Sequence, residues 1–85
     1  FTEKNLGGNL FTGADLTGAN FTGADASGVS YVGANMTGAN FNGANVNGTN
    51  FTNGNLSNSD LRDVTGTPIL TGANLTGAQT NWGNP

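Results

Sequence analysis

Asp60 and Asp63 flank Arg62, and two carboxylates this close are the only ready candidates for general acid–base chemistry in the chain. The same residues on an outer face make a solvated ion-pair cluster, and that is the preferred reading. Asp15 and Asp25 each stand just before a residue of an apolar series, where a carboxylate suits a hydrogen bond to the turn backbone. Their role is expected to be structural. The chain has no Cys and no His. That removes disulfides, thiol chemistry and Cys-based metal sites, together with the commonest general base and transition-metal ligand. The expectation is a non-enzymatic protein without a metal or cofactor. A second kind of chemistry is modification. N-x-[ST] sequons start at Asn20, Asn35, Asn47, Asn50, Asn55 and Asn74. The repeat described below writes most of them, and a glycan is expected only if a glycosylating cell secretes the chain.

What must position these residues is a five-residue word. The stretch ANMTGANFNGANVNG, residues 34–48, says it three times: Ala, Asn, an apolar residue, a small polar residue, Gly. The apolar centres are Phe1, Leu6, Phe11, Leu16, Phe21, Ala26, Tyr31, Met36, Phe41, Val46, Phe51, Leu56 and Leu61, then Leu70, Leu75 and Thr80 after a one-residue slip at VTGTP, residues 64–68. Five residues advance a helix by ~500°, so a helix scatters the centres around its circumference. A strand alternates at two and sends successive centres to opposite faces. The workable path turns a corner at every word. Gly supplies positive φ there, and the small residue before each centre lets the backbone pass close to the axis. A fixed short period of this kind is the mark of a repeat architecture that buries its core by stacking.

The words GADLT, GANFT, GANMT, GANFN and GANLT resemble those of the pentapeptide-repeat family, whose motif is A(D/N)LxG. The match covers nearly the whole chain. It implies an all-β fold, a right-handed quadrilateral parallel β-helix with one word per face and about four coils. Residues 1–85 are then a single solenoid with a register break near 64–68. Residues twenty apart should stack. One column reads Phe1, Phe21, Phe41, Leu61, and the opposite one Phe11, Tyr31, Phe51, Leu70. The other two read Leu6, Ala26, Val46 and Leu16, Met36, Leu56, Leu75. Aromatic ladders therefore alternate with aliphatic ones. Tyr31 raises a question, because a buried hydroxyl needs a partner. Asn35, Asn55 and Asn74 follow Asp15, and Asn20 and Asn40 precede Asp60, as ladders expected to reinforce the stack. Pro68 cannot donate to a ladder, so a bulged or looped corner is expected around residue 66.

Only 34% of the residues are apolar and the net charge is −3. No basic patch suits nucleic acid, and no apolar run approaches the ~20 residues of a membrane span. The chain opens on Phe1 rather than Met, as a fragment or a chain with a removed leader does, and leader removal would mean export. An extracellular or cell-surface location is the expectation. Repeats run to both ends without a capping helix. Open coil ends template pairing with another copy, and head-to-tail contact propagates into a filament. Phe1, Leu6 and Trp82 are the expected contact residues, with Trp82 alternatively folding back as a plug. The expected function is a structural subunit that stacks end to end. The alternatives are a protein-binding module, a DNA-mimic gyrase inhibitor as the family resemblance allows, or ice binding through the outward rows Thr17, Thr37, Ser57, Thr76 and Thr12, Val32, Thr52, Thr71. Asn fills most slots where a DNA mimic needs Asp.

Overall fold

The computed structural model describes residues 4–7 and 10–81. Phe1 and Trp82 lie outside the described residues. From Asn5 to Thr65, parallel bridges join residues twenty apart: Asn5 to Asp25, Leu10 to Ser30, Asp15 to Asn35, Asn20 to Asn40, and so on around the coil. Each side contributes a bridge of one residue, and the chain then turns. The fold is a right-handed quadrilateral parallel β-helix.

The turn chemistry explains the word. In the third described corner the Ala24 N–H donates to the Phe21 C=O at 3.0 Å, and Gly23, two residues after the centre, has a φ of +67°. A hydrogen bond across four residues with positive φ at the third is a type II turn, which favours Gly there. The ladder fills the remaining backbone groups. The Phe21 N–H donates to the Asn40 C=O at 2.6 Å, and the Asn40 N–H returns to the Ala19 C=O at 2.9 Å. Three corners of the third coil use Asn53, Asn58 and Asp63 instead of Gly, at φ near +60°. Asn and Asp are the L-residues that enter this region most readily.

The centres face inward and make the core. Phe21, Tyr31, Met36, Phe41, Val46, Phe51, Leu56 and Leu61 are fully buried. Phe21 stacks on Phe41 with centroids 4.6 Å apart, and Tyr31 stacks on Phe11 and on Phe51, each at 5.3 Å. The two aromatic columns meet edge to face across the interior, Phe21 to Tyr31 at 5.7 Å and Phe41 to Phe51 at 5.5 Å. Both arrangements suit the ring quadrupole. Ala24, Ala34, Ala39 and Ala44 are buried where the backbone bends past the axis.

The expected loop at VTGTP is corrected. Thr65 still bridges Asn45, but Ile69 bridges Asn50, Asn74 bridges Asn55 and Gln79 bridges Asp60, each nineteen residues apart. The word has lost a residue, as the spacing from Leu61 to Leu70 implies, and the corner is cut short without a bulge or loop. Gly66 makes the shortcut possible: a Cβ built on it would lie 2.4 Å from the Asn47 Cβ and 2.7 Å from the Asn47 backbone N. The Gly48 N–H still reaches the Thr67 C=O at 3.0 Å, so the ladder continues across the cut corner.

Tyr31 keeps its question open in a useful way. Its hydroxyl is buried and meets no hydrogen-bonding protein atom, and burial pushes the phenol pKa up. A buried hydroxyl without a partner costs about 1–3 kcal/mol. Tyr31→Phe should therefore raise stability by about 1–2 kcal/mol, or several degrees in Tm for a domain of this size. A Tm unchanged or lowered in a melting scan would contradict the prediction.

Candidate functional site

The Asp60–Arg62 pair forms a closed ion pair. Arg62 Nε donates to Asp60 Oδ1 at 3.0 Å and Nη2 to Oδ2 at 2.8 Å, while the Arg62 backbone N–H adds a third bond to Oδ1 at 2.9 Å. Both carboxylate oxygens are occupied. The guanidinium holds Asp60 below the usual carboxylate value and is itself raised. That suits a fixed charge pair better than a proton shuttle. Asp63 follows Arg62 in the same turn, where its N–H donates to Asn81 Oδ1. Among the described residues no group of three or more His, Cys, Asp or Glu could hold a metal, and no helix is long and apolar enough to cross a membrane.

The Asp/Asn slot works as the sequence suggests for the turn, but differently for the rows of hydroxyls. Asp15 Oδ1 accepts the Thr17 backbone N–H at 3.2 Å and the Thr17 hydroxyl at 2.7 Å. The same double bond recurs from Thr22 to Asn20, Ser27 to Asp25, Thr37 to Asn35, Thr52 to Asn50, Ser57 to Asn55 and Thr76 to Asn74. The Oδ1 atoms therefore serve their own corners, and these seven hydroxyls turn their protons back along the chain, whereas Thr12 meets the Ser30 hydroxyl. The sequon residues Asn20, Asn35 and Asn74 are exposed and Asn50 and Asn55 half-buried, all in this Asx geometry. Asn47, whose neighbour Thr49 is buried and donates to the Ala26 C=O at 2.7 Å, is the exception.

These bonds carry a pH dependence. The Thr17 and Ser27 hydroxyls lower the Asp15 and Asp25 pKa values, and Arg62 lowers that of Asp60. A carboxylate depressed in the folded state adds stability that is complete above its unfolded pKa and is lost as pH falls through the folded one. The usual value is 3.8. Tm should be level from about pH 8 to 5 and fall below about pH 4. Asp60→Asn should remove part of that fall, and a Tm that climbs on acidification from about pH 5 to 3 would be the opposite result.

The coil ends are the remaining candidates, and their composition differs from the expectation. Leu6 is only 5% exposed, so it offers no contact surface. Phe11 and Leu16 at the first end, and Leu70 and Leu75 at the last, are half-buried, each packed against the core on one side. They are the first and last members of their columns, a signal that the column table itself contains. The backbone repeats the pattern. Asn35 and Asn40 donate their N–H groups to the C=O of Ala14 and Ala19, whereas Asp15 and Asn20, the same slots one coil earlier, meet no coil beneath them among the described residues. Phe51 and Leu56 donate to the C=O of Ile69 and Asn74, whereas Leu70 and Leu75 have no coil above among the described residues. A shallow depression lined by Gly66, Thr67, Pro68 and Leu70 lies beside the shortened corner.

Comparison with known proteins places these surfaces in context. The family model described as Pentapeptide repeats matches residues 1–30 and 32–65, in eight copies. A solved pentapeptide repeat protein from Nostoc Pcc 7120, alr5209, is 27% identical with a TM-score of 0.73, over 92% of this chain and 61% of that one. A pentapeptide repeat protein from the Arabidopsis thaliana thylakoid lumen is 28% identical with a TM-score of 0.53, over 91% of this chain and 58% of that one. The chain thus spans about three fifths of the length of these two solved structures. No curated protein matches it.

Proposed function

The chain belongs to the pentapeptide-repeat family, and on that basis we propose that it is a non-enzymatic β-solenoid scaffold that stacks head to tail with further copies of itself. One observation carries the reading: the two ends are complementary. Among the described residues the first coil presents the N–H and C=O groups of Asp15 and Asn20, and the last presents the N–H groups of Leu70 and Leu75 and the C=O groups of Ala73 and Ala78. A copy placed one coil further along the axis would repeat the interior ladder. Its Asp15 N–H would meet the Ala73 C=O, and its Asp15 C=O would take the Leu75 N–H. Phe11 and Leu16 would cover Leu70 and Leu75 and bury the half-exposed apolar ends. A head-to-tail contact of this kind does not close on itself, so it propagates. Coils of a longer chain would satisfy the same groups, as in solved relatives of greater length. Both cases make the solenoid a rod with a repeating surface. A setting outside the cell belongs to this proposal, on the strength of the Asn, Thr and Gly content alone.

Negative-stain electron microscopy over a concentration series tests the stacking. Filaments whose subunit repeat equals four coils, about 19 Å at ~4.8 Å per coil, are the expected result. A chain that remains single at about 1 mM, where even a contact of ~4 kcal/mol would be half populated, is not an end-to-end subunit.

A further inference from the structure

One side of the square differs from the other three. Its bridged column reads Leu10, Ser30, Asn50, Ile69. In other columns this outward slot holds Asn, Asp, Thr or Gln, but here its two end positions hold large apolar residues. Leu10 is 78% exposed and Ile69 44%. Val32 stands in the neighbouring row, half-buried, with Thr12, Thr52 and Thr71. Every described charged side chain belongs to another side: Lys4 and Asp25 with the Asn5 column, Asp15 with the Asn35 column, and Asp60, Arg62 and Asp63 with the Asn40 column. The polar groups of the odd side already bond one another. The Thr12 and Ser30 hydroxyls lie 3.3 Å apart, the Thr52 hydroxyl donates to Asn50 Oδ1, and the Val32 N–H points to Ser30 Oγ at 3.5 Å. Removing water from such a face leaves few groups unpaired.

We propose that this face pairs with the same face of a second copy, antiparallel, about a two-fold axis that brings Leu10 of one copy against Ile69 of the other. Charge selects the occupant. The chain carries −3 overall, so two copies repel unless they meet away from carboxylates, and among the described residues this is the side without one. Geometry selects the symmetry. Leu10 and Ile69 end one column three coils apart, about 14 Å, so a two-fold through the Ser30–Asn50 midpoint exchanges them. The principal extents are 28, 24 and 21 Å. One side therefore supplies about half of the ~800 Å² per partner of a standard interface, and the pairing is weak and reversible. It is lateral and closes at two copies, so it is independent of the open-ended axial stacking proposed above.

Sedimentation equilibrium of the chain, with Leu10→Lys, Ile69→Glu and the double variant, tests the pairing. Both positions are exposed, and matching circular dichroism and Tm values would show that the fold is retained. The expected result is a monomer–dimer equilibrium that each single variant weakens at least about tenfold and that the double variant restores, because the new charges then meet as opposite pairs across the axis. A wild-type chain that stays monomeric at about 1 mM overturns the proposal. So does a dimer indifferent to both substitutions, or a double variant that behaves as the worse single. An open ladder of sizes indifferent to these charges would overturn lateral pairing while supporting axial stacking. Closed dimers without filaments would do the reverse.

Discussion

Gly66→Ala should destabilise the solenoid by about 3–5 kcal/mol, two to three times the cost of the same change at Gly38. Both residues have positive φ, +83° and +71°. The strain of an L-residue there is about 1–2 kcal/mol and is common to the two variants. What differs is the space. A Cβ on Gly38 meets nothing within 4 Å, whereas one on Gly66 falls 2.4 Å from the Asn47 Cβ, 2.5 Å from its Cα and 2.7 Å from its N. A side chain swings away, but a backbone held by the ladder does not. The neighbouring Gly48 N–H is bonded to the Thr67 C=O at 3.0 Å, and the Val46 N–H to the Thr65 C=O at 2.9 Å. The fourth coil must lift to admit the methyl group. Urea unfolding measures the two losses, and amide exchange locates them. The Gly48, Phe51 and Leu56 amides, which donate up to the fourth coil, should lose protection in Gly66→Ala, while Leu16 and Gly18 keep theirs. Equal losses from both variants would mean that φ strain alone matters and that the corner has room.

That corner also marks where the sequence stopped being legible. The columns could be read because a period of five and four sides fix the spacing at twenty, and the bridges from Asn5–Asp25 to Asn45–Thr65 keep it. The slip after Thr65 was visible too, and so was its direction, since Leu61 and Leu70 stand nine residues apart where two words need ten. How the corner closes was not: Gly66 lies against Asn47, and the word is cut short instead of looped. Thr rows were visible as rows. That Thr17, Thr37 and Thr76 turn their hydroxyls to the Asp or Asn two residues before them depends on side-chain torsions that no spacing encodes. Leu6 was misjudged as an end residue for a related reason. The column table starts with Phe1 and Leu6, yet Leu6 is covered and the half-open positions are Phe11 and Leu16. Where a stack stops being well packed is set by contacts, whereas a repeat continues on paper to its last recognisable word. The uncharged face was passed over in the columns, although Leu10 and Ile69 break the Asn/Asp slot at positions fifty-nine residues apart and column arithmetic places them on one side.

The same columns set the second large effect. Phe41→Ala should cost about 3–5 kcal/mol, at the upper part of the range for emptying a buried aromatic site. Phe41 is fully buried, stacks on Phe21 at 4.6 Å, and meets Tyr31 and Phe51 edge to face at 5.8 and 5.5 Å. The cost of such a cavity depends on whether the walls can close. Here they cannot, because the ring's own backbone is pinned on both sides. The Phe41 N–H donates to the Asp60 C=O at 2.7 Å, and the Phe41 C=O accepts the Ala44 N–H at 2.9 Å. The inter-coil spacing is a property of the ladder and does not shrink to fill a missing ring. Phe11→Ala is the internal control. Phe11 is half-buried, stacks on Tyr31 and meets Phe21 edge to face at 6.5 Å, so its loss should cost about 1–3 kcal/mol. The order Phe41 above Phe11, measured as two unfolding free energies in urea, would show that the rod's stability resides in interior rings held apart by hydrogen bonds. Equal losses would move that stability to the corners, and the solenoid would then owe its shape to turn chemistry with the aromatic columns as filling.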